Sequence, residues 1–143
     1  MISEKSCGAV VFTELNNEIK YLVIKSLTGI YGFPKGHTEV NETEEQTVLR
    51  EVLEEVGVKI KLIPGFRIED EYIIHRKENI VKRVVYFIGE YYEQEFTFQK
   101  EELTTALLVN YETAMGLFQF DNSKKILTAA NNFLLNRKSW MCG

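Results

Sequence analysis

The feature that most constrains the fold is one acidic amphipathic helix, predicted over residues 42–56, with both ends marked. Thr43 is followed three residues later by Gln46, which is the spacing of a capping box, so we place the helix start at Thr43. Gly57 is positioned to end the helix in a left-handed conformation. At ~100° per residue, five apolar side chains form a stripe that we expect to face the core: Val48, Leu49, Val52, Leu53 and Val56. Such a helix needs a sheet or other helices to cover it.

Short β-branched runs on both sides of this helix predict a sheet. "CGAVVFT" and "KYLVIKS" predict one hairpin, and "FRIEDEYIIH" and "KRVVYFIGEYY" predict another. "VKIKLI" and "TALLVN" predict single strands, whereas "LTGIYGFPKGH", with three glycines and one proline, predicts a loop. "YETAMGLF" and "SKKILTAANNFLLN" predict C-terminal helices. Strands before, between and after helices predict an α+β fold with a mixed sheet covered by helices.

Composition narrows the classes of function and location. The 143 residues suffice for one domain, which we expect to span residues 1–143. The formal net charge is −4 and no long basic run occurs, so we expect no nucleic-acid partner. Cys7 and Cys142 lack metal-ligand spacing, and neither a secretory signal nor an apolar run of ~20 residues is present. We therefore expect a reduced, cytoplasmic protein without a membrane partner, and the sequence carries no signal of oligomeric state.

Three carboxylates of the acidic helix share one side of it. Glu51, Glu54 and Glu55 stand at the i, i+3 and i+4 spacings that make neighbours. Two carboxylates ~5–6 Å apart repel by roughly 3 kcal/mol at an effective dielectric of about 20. We expect little compensating positive charge, because Arg50 reaches Glu54 only in the less favourable order. Geometry alone leaves two interpretations open, a solvated acidic face and a site for a hard divalent cation, Mg²⁺ or Mn²⁺.

The segment from Gly36 to Val58, "GHTEVNETEEQTVLREVLEEVGV", resembles the signature of the Nudix hydrolases. That pattern is a Gly, five residues, Glu, seven residues, Arg-Glu, an aliphatic, any residue, Glu-Glu, any residue, Gly and an aliphatic. The chain fills all seven fixed positions, with Gly36, Glu42, Arg50, Glu51, Glu54, Glu55 and Gly57. A chance match is on the order of 10⁻⁹ per starting point. The order of strands and helices is also similar to the family's α/β/α sandwich over nearly the whole chain.

The resemblance implies a divalent cation, Mg²⁺ or Mn²⁺, and a nucleoside diphosphate linked to another group. The implied metal ligands are the backbone carbonyl of Gly36 and the side chains of Glu51, Glu54 and Glu55. Glu42 and Arg50 are implied as a structural ion pair that braces the loop before the helix.

The family takes its general base from different places. The implied candidates are Glu54 and Glu55 in the signature segment 36–58, called the box below, and Glu102 in "QKEELTT". Glu101 is the competitor of Glu102.

The implied substrate comes from residues outside the box. "YGFPKGH" resembles both the asymmetrical diadenosine tetraphosphate hydrolases and the diphosphoinositol polyphosphate hydrolases, and "GFRIEDEY" with "KRVVYFIGEY" favours the first group. On this comparison the substrate-binding residues are Lys35, His37 and Lys82 for the polyphosphate, and Tyr72 and Tyr86 for the nucleotide. Each also has a structural interpretation, Tyr86 as a core residue and Lys82 as a surface residue.

We therefore expect Mg²⁺-dependent cleavage of diadenosine tetraphosphate to ATP and AMP. Many family members carry a Trp where this chain has Leu107 and Leu108, which leaves open the cleavage of (deoxy)nucleoside triphosphates. Cleavage of diphosphoinositol polyphosphates and a role as a non-catalytic nucleotide sensor are also compatible with the sequence.

Overall fold

The computed structural model describes residues 2–75, 78–92 and 103–142. Side chains are described within 3–75, 78–92 and 105–137. In chain order the elements are β1 (Ile2–Leu15), β2 (Glu18–Ser26), β3 (Tyr31–Gly32), β4 (Lys35–His37), α1 (Glu44–Val56), β5 (Lys61–Leu62), β6 (Ile68–Ile74), β7 (Ile80–Glu90), β8 (Leu103–Val109), α2 (Tyr111–Leu117) and α3 (Asp121–Cys142).

These strands form one mixed sheet, as the sequence predicts. Its main order is β3-β2-β1-β7-β5, with β4 paired to β1, β6 to β7 and β8 to β2. The two predicted hairpins are confirmed, because β1–β2 and β6–β7 both pair antiparallel. The long central pair β1–β7 runs parallel, from Ile2 opposite Ile80 to Phe12 opposite Glu90.

Helices cover both faces of the sheet, which confirms the α/β/α sandwich. One core packs sheet residues such as Val84 and Tyr86 against Leu127 and other side chains of α2 and α3. The other core packs their strand neighbour Val85 against Val52 and other side chains of α1. Successive side chains of β7 therefore pack into opposite cores, because side chains alternate between the two faces of a strand.

The ends of α1 follow the predicted capping chemistry. The Thr43 side chain accepts from the Gln46 amide at 3.1 Å, and the Gln46 side chain accepts from the Thr43 amide at 2.9 Å. Gly57 closes the helix in the left-handed region with φ 75°. Both ends are set by contacts within a few residues, which explains why the sequence alone locates them.

The predicted apolar stripe of α1 is partly wrong. Leu49 and Leu53 are 42% and 43% exposed, whereas Val48, Val52 and Val56 are buried together with Thr47. At ~100° per residue the centre of this buried face passes between Thr47 and Val52, so the two leucines fall outside it. Glu51 and Glu55 fall within this face and are half-buried, and Glu55 accepts a hydrogen bond from the backbone of β4.

Two segments differ from their predictions for long-range reasons. The predicted loop "LTGIYGFPKGH" contains β3 and β4, because Tyr31 pairs with Lys25 and Gly36 pairs with Cys7. The predicted strand "VKIKLI" is reduced to Lys61–Leu62, which pairs with the end of β7. Among the described residues, no helix combines the length and the apolar character that a membrane span needs.

Candidate active site

Strand β4 passes directly against the acidic face of α1. The backbone amide of Lys35 donates to Glu55 Oε2 at 3.1 Å, so the helix and the strand are joined at this point. A Cβ built on Gly36 would overlap the carboxyl group of Glu51. Only glycine leaves room for this contact. The hydrogen bond to Glu55 therefore holds the main chain of β4 beside the carboxylates, and the missing side chain at Gly36 permits the close approach of Glu51.

Four carboxylates lie beside β4, and we call them the carboxylate cluster: Glu42, Glu51, Glu54 and Glu55. Arg50 contacts the first three of them. It donates to both oxygens of Glu42, from Nε at 2.7 Å and from Nη2 at 2.9 Å, which forms the ion pair that the family resemblance implies. Its Nη1 donates to Glu51 at 2.7 Å and to Glu54 at 3.3 Å. Nη2 also donates to the carbonyl of His37 at 3.0 Å, which ties β4 to the helix. The expected contribution of Arg50 is too small, because this one guanidinium reaches forward along the helix to Glu54 and back into the preceding loop to Glu42.

These contacts lower the pKa of Glu42 to about 2, first because Arg50 hydrogen-bonds its carboxylate and second because Thr47 donates to it. Thr47 Oγ1 lies 2.8 Å from Glu42 Oε1. The same contacts raise the pKa of Arg50, with the hydrogen bond to Glu42 as the largest cause. The loop before α1 is therefore braced by a charged pair that stays ionised at neutral pH.

The donor set beside β4 fits a hard divalent cation. Carboxylate and carbonyl oxygens are the ligands that Mg²⁺ and Mn²⁺ prefer, and Glu51 lies directly against Gly36. Among the described residues, no three His, Cys, Asp or Glu side chains already form a metal-ligating cluster. Arg50 turns Glu51 and Glu54 toward itself, so these two side chains would rotate to share one ion.

A cavity of about 600 Å³ opens beside Glu55. Its wall combines residues that the sequence suggested with residues that it did not: Lys35, Glu55, Asp70, Tyr72, Tyr86 and Phe120. The Lys35 ammonium lies 5.9 Å from the centre of the Tyr72 ring and donates to its hydroxyl at 3.5 Å. Burial lowers the pKa of Lys35, and the charges of Asp70 and Glu55 oppose that shift.

Tyr86 belongs to both the core and the cavity wall. It is only 6% exposed, and its ring meets Phe33 edge to face at 5.6 Å. Burial raises the pKa of Tyr86. The phenol is therefore neutral and presents only a small surface to a ligand, whereas the half-buried Tyr72 presents more.

Two of the suggested substrate-binding residues, His37 and Lys82, do not line this cavity. His37 is exposed on β4, and the structure uses its backbone carbonyl. Lys82 lies opposite Tyr72 in the β6–β7 register but does not line the cavity wall. Glu101 and Glu102 fall outside the described residues, so a general base from that segment stays a prediction.

The cavity-wall residues that sequence reasoning missed include Asp70, Phe120 and Asn122. Phe120 is 55% exposed just before α3, and Asn122 in the first turn of α3 donates to Asp70 at 2.9 Å. Asp70 stands two positions before Tyr72 on β6, so strand alternation could have placed both on one face. Phe120 and Asn122 carried no such signal, because only the tertiary fold brings α3 to β6.

Known proteins resemble this chain in both sequence and fold. A model of the NUDIX domain family matches residues 5–130. The asymmetrical bis(5′-nucleosyl)-tetraphosphatase of Sus scrofa is 32% identical over 143 residues, covering 91% of this chain and 95% of that protein. A crystal structure of a C. elegans Ap4A hydrolase binary complex aligns with a TM-score of 0.83 at 19% identity, covering 93% of this chain and 98% of that one. The NUDIX domain of Shewanella oneidensis NrtR complexed with ADP ribose aligns with a TM-score of 0.66 at 18% identity, covering 94% and 90% respectively. At these identities the two structural matches bear on the fold alone.

Proposed function

The chain belongs to the Nudix family, and on that premise we propose that this pyrophosphohydrolase cleaves diadenosine tetraphosphate to ATP and AMP with Mg²⁺ or Mn²⁺. The observation that carries the proposal is the cavity where Lys35 and Tyr72 lie side by side next to Glu55 of the carboxylate cluster. The named activity of the Sus scrofa relative, which matches over 91% of this chain, supports the same substrate. A cytoplasmic location and the absence of a nucleic-acid partner stay predictions.

The cavity suits one nucleoside end of such a substrate. Its volume of about 600 Å³ lies within the range of ~300–1,000 Å³ that small-molecule sites occupy. Tyr72 and the exposed Phe120 offer aromatic surface to a base, and stacking on one aromatic side chain contributes ~1–3 kcal/mol. Lys35 offers positive charge between the base and the carboxylate cluster. We propose that Tyr86 forms the floor and that His37 and Lys82 contact the polyphosphate beyond the cavity.

The chain's own residues have distinct tasks in this hydrolysis. Glu51, Glu54, Glu55 and the Gly36 carbonyl would hold the cation, which when bound neutralises phosphate oxygens and lowers the pKa of a coordinated water. Lys35 orients the phosphate chain. The water oxygen bonds to one phosphorus, one bridging P–O bond breaks, and the departing phosphate keeps the bridging oxygen.

A carboxylate accepts the proton that the water releases. We propose Glu102 for this role, with Glu54 and Glu55 as the candidates within the box. Glu102→Gln should then lower kcat more than it changes affinity, while Glu101→Gln should retain most activity. Full activity of the Glu102 variant would return the role to the box.

A product analysis tests the substrate. Diadenosine tetraphosphate, nucleoside triphosphates, ADP-ribose and a diphosphoinositol polyphosphate are each incubated with and without Mg²⁺, in ¹⁸O-labelled water. We expect the highest kcat/KM for diadenosine tetraphosphate, with ATP and AMP as products and the label in one of them. A higher kcat/KM for another compound would replace the proposed substrate, and binding without any product would indicate a sensor.

A further inference from the structure

Helix α1 lies across the sheet and makes a polar contact with a different part of it at each end. Near its C-terminal end, Glu55 accepts a hydrogen bond from the backbone amide of Lys35 on β4. At its N-terminal end, Glu44 accepts two hydrogen bonds from Arg67, from Nε to Oε1 at 2.9 Å and from Nη2 to Oε2 at 2.8 Å. Arg67 immediately precedes β6. The helix therefore joins β4 to the start of β6, across the two strands β1 and β7 that lie between them.

One straight row of paired residues in the sheet spans the same separation. The row consists of Lys35 on β4, Gly8 on β1, Tyr86 on β7 and Ile68 on β6. Three strand spacings of ~4.8 Å give this row a length of roughly 14 Å. The eleven residue steps of helix from Glu44 to Glu55, at ~1.5 Å each, give roughly 16 Å. The helix is therefore long enough to hold both ends of this row at once.

The proposed cation site and the cavity wall on β6 lie toward opposite ends of this row. The proposed cation ligands Glu51 and Glu55 belong to α1 beside β4, whereas Asp70 and Tyr72 of the cavity wall belong to β6. A dinucleotide with its phosphates at the cation and a nucleoside against Tyr72 would span both. Its binding therefore depends on the distance between α1 and β6. Arg67 constrains this distance from outside the site, because it contacts α1 on one face of the sheet and the cavity opens on the other.

We propose that Arg67 is a positioning residue for the dinucleotide: by holding Glu44, it fixes α1 relative to β6 and so sets the distance between the cation ligands and the nucleoside cavity. This inference rests on the proposed function and adds a residue that lies outside both the box and the cavity wall. The two parallel bonds of a guanidinium to a carboxylate restrict orientation as well as distance.

A purely structural role would have a different signature. Arg67 and Glu44 are 44% and 25% exposed, so their contact contributes little to the free energy of unfolding. Lys5 on β1 also contacts Glu44, at 2.7 Å. Loss of the Arg67 side chain therefore leaves α1 attached to β1 and removes its contact with the start of β6. We expect the fold to persist and the relative position of the two sites to become less defined.

The test measures three dissociation constants in the wild type and in Arg67→Met, which keeps a long unbranched side chain without the guanidinium. The ligands are Mn²⁺ alone, adenosine alone and, in the presence of Mn²⁺, a diadenosine tetraphosphate analogue in which methylene groups replace the oxygens between phosphorus atoms. Only the analogue spans α1 and β6. We expect its Kd to rise by about 5- to 10-fold in Arg67→Met, at the lower end of the range for coupling between two sites. The Kd values for Mn²⁺ alone and for adenosine alone should each change by less than about 2-fold, because neither ligand spans the two sites.

Two variants of the same contact serve as controls. Glu69→Gln is the matched control, because it weakens another contact of Arg67, at 2.9 Å, and leaves both bonds to Glu44 in place. It should keep all three Kd values of the wild type. Arg67→Lys retains the positive charge without the two-pronged geometry, so it should recover part of the affinity for the analogue.

The outcomes separate this inference from the function beneath it. An unchanged Kd for the analogue in Arg67→Met, or an equal loss in Glu69→Gln, would overturn the positioning role and leave the proposed hydrolysis standing. An equal rise in Kd for Mn²⁺ alone or for adenosine alone would also overturn it, because the change would then lie within one site. A wild-type chain that binds the analogue but does not hydrolyse diadenosine tetraphosphate would overturn the proposed function alone, since the three Kd values require no hydrolysis. A wild-type chain that does not bind the analogue would overturn both.

A second variant keeps the inference testable if Arg67→Met does not fold. Glu44→Gln removes the carboxylate charge that Arg67 holds and leaves Arg67 itself unchanged. We expect the same selective rise in the Kd of the analogue, and an unchanged value would overturn the inference.

Discussion

Replacing Gly36 by alanine tests the contact between Gly36 and Glu51 on which the proposed cation site depends. The new methyl group would occupy the space of the Glu51 carboxyl group. Since Glu51 is a flexible side chain, it can move aside, and it would then give up its 2.7 Å hydrogen bond from Arg50. The strand itself is held by pairing with β1 on its other side, so we expect the fold to persist.

The cost follows from these contacts. Overpacking a close contact costs ~1–3 kcal/mol, and a charged hydrogen bond contributes ~1.5–3 kcal/mol before solvent screening is considered. Because Glu51 and Arg50 remain 18% and 23% exposed, we expect the lower part of this range, about 1–2 kcal/mol. That loss corresponds to a melting temperature lower by roughly 3–8 °C. Displacing a ligand group by about 1 Å should lower kcat/KM by about 10²-fold.

A double-mutant cycle measures the contact directly. Thermal unfolding and kcat/KM are recorded for Gly36→Ala, for Glu51→Ala and for the double variant. Once Glu51 is truncated, alanine at position 36 should cost less than about 0.5 kcal/mol. Gly116→Ala in α2 is the control, because its Cβ meets no atom within 4 Å and should leave activity unchanged. Equal losses from Gly36→Ala in the presence and absence of the Glu51 side chain would refute this reasoning.

Four further outcomes follow. Glu54→Gln and Glu55→Gln should each abolish cation-dependent hydrolysis while the far-ultraviolet circular dichroism stays unchanged. Tyr72→Ala should raise KM for an adenine dinucleotide by about 5- to 150-fold, since stacking contributes ~1–3 kcal/mol. Arg50 and Arg67 hold the pKa values of Glu42 and Glu44 near 2, below the ordinary 4.5, so stability present above pH 4.5 should be lost as the pH falls toward 2, as measured by urea unfolding at stepped pH. Chelation with EDTA should stop hydrolysis without unfolding the chain, and saturating Mn²⁺ should raise the melting temperature.

The first three of these outcomes each have a control or a result that would contradict them. Glu45→Gln in the first turn of α1 should keep cation-dependent activity. If this variant also lost activity, the losses at Glu54 and Glu55 would not be specific to the proposed cation ligands. An unchanged KM in Tyr72→Ala would remove its stacking role. Glu42→Gln should flatten the acid part of the stability profile, and an unchanged profile would contradict the assigned pKa.

The sequence predicts features that depend on near neighbours and misses those that depend on the fold. The caps at Thr43 and Gly57 are local, and the sequence locates both. The sequence missed the exposure of Leu49 and Leu53, because an apolar pattern does not show that Glu51 and Glu55 turn toward β4. Strand β4 was missed because it exists only through its pairing with β1, and that pairing also brings Gly36 to the carboxylates.

The same distinction applies to the site. The Nudix signature identifies the carboxylates, since their spacing is local to one helix. The cavity needs β6, α1 and the start of α3 at once, so the sequence could suggest Tyr72 through the family resemblance but could not pair Asp70 with Asn122.

The charge balance around Arg50 explains why three carboxylates can share one helix. Its single positive charge contacts four carboxylates, those of Glu39, Glu42, Glu51 and Glu54, at 2.7–3.7 Å. One positive charge against four negative charges leaves this group of Arg50 and its four glutamates with a net charge of −3. Arg50 supplies enough attraction to order the loop and too little to neutralise the cluster. A divalent cation would supply positive charge where β4 lies against Glu51, so we expect the same interactions that brace the loop to give this group an affinity for such an ion.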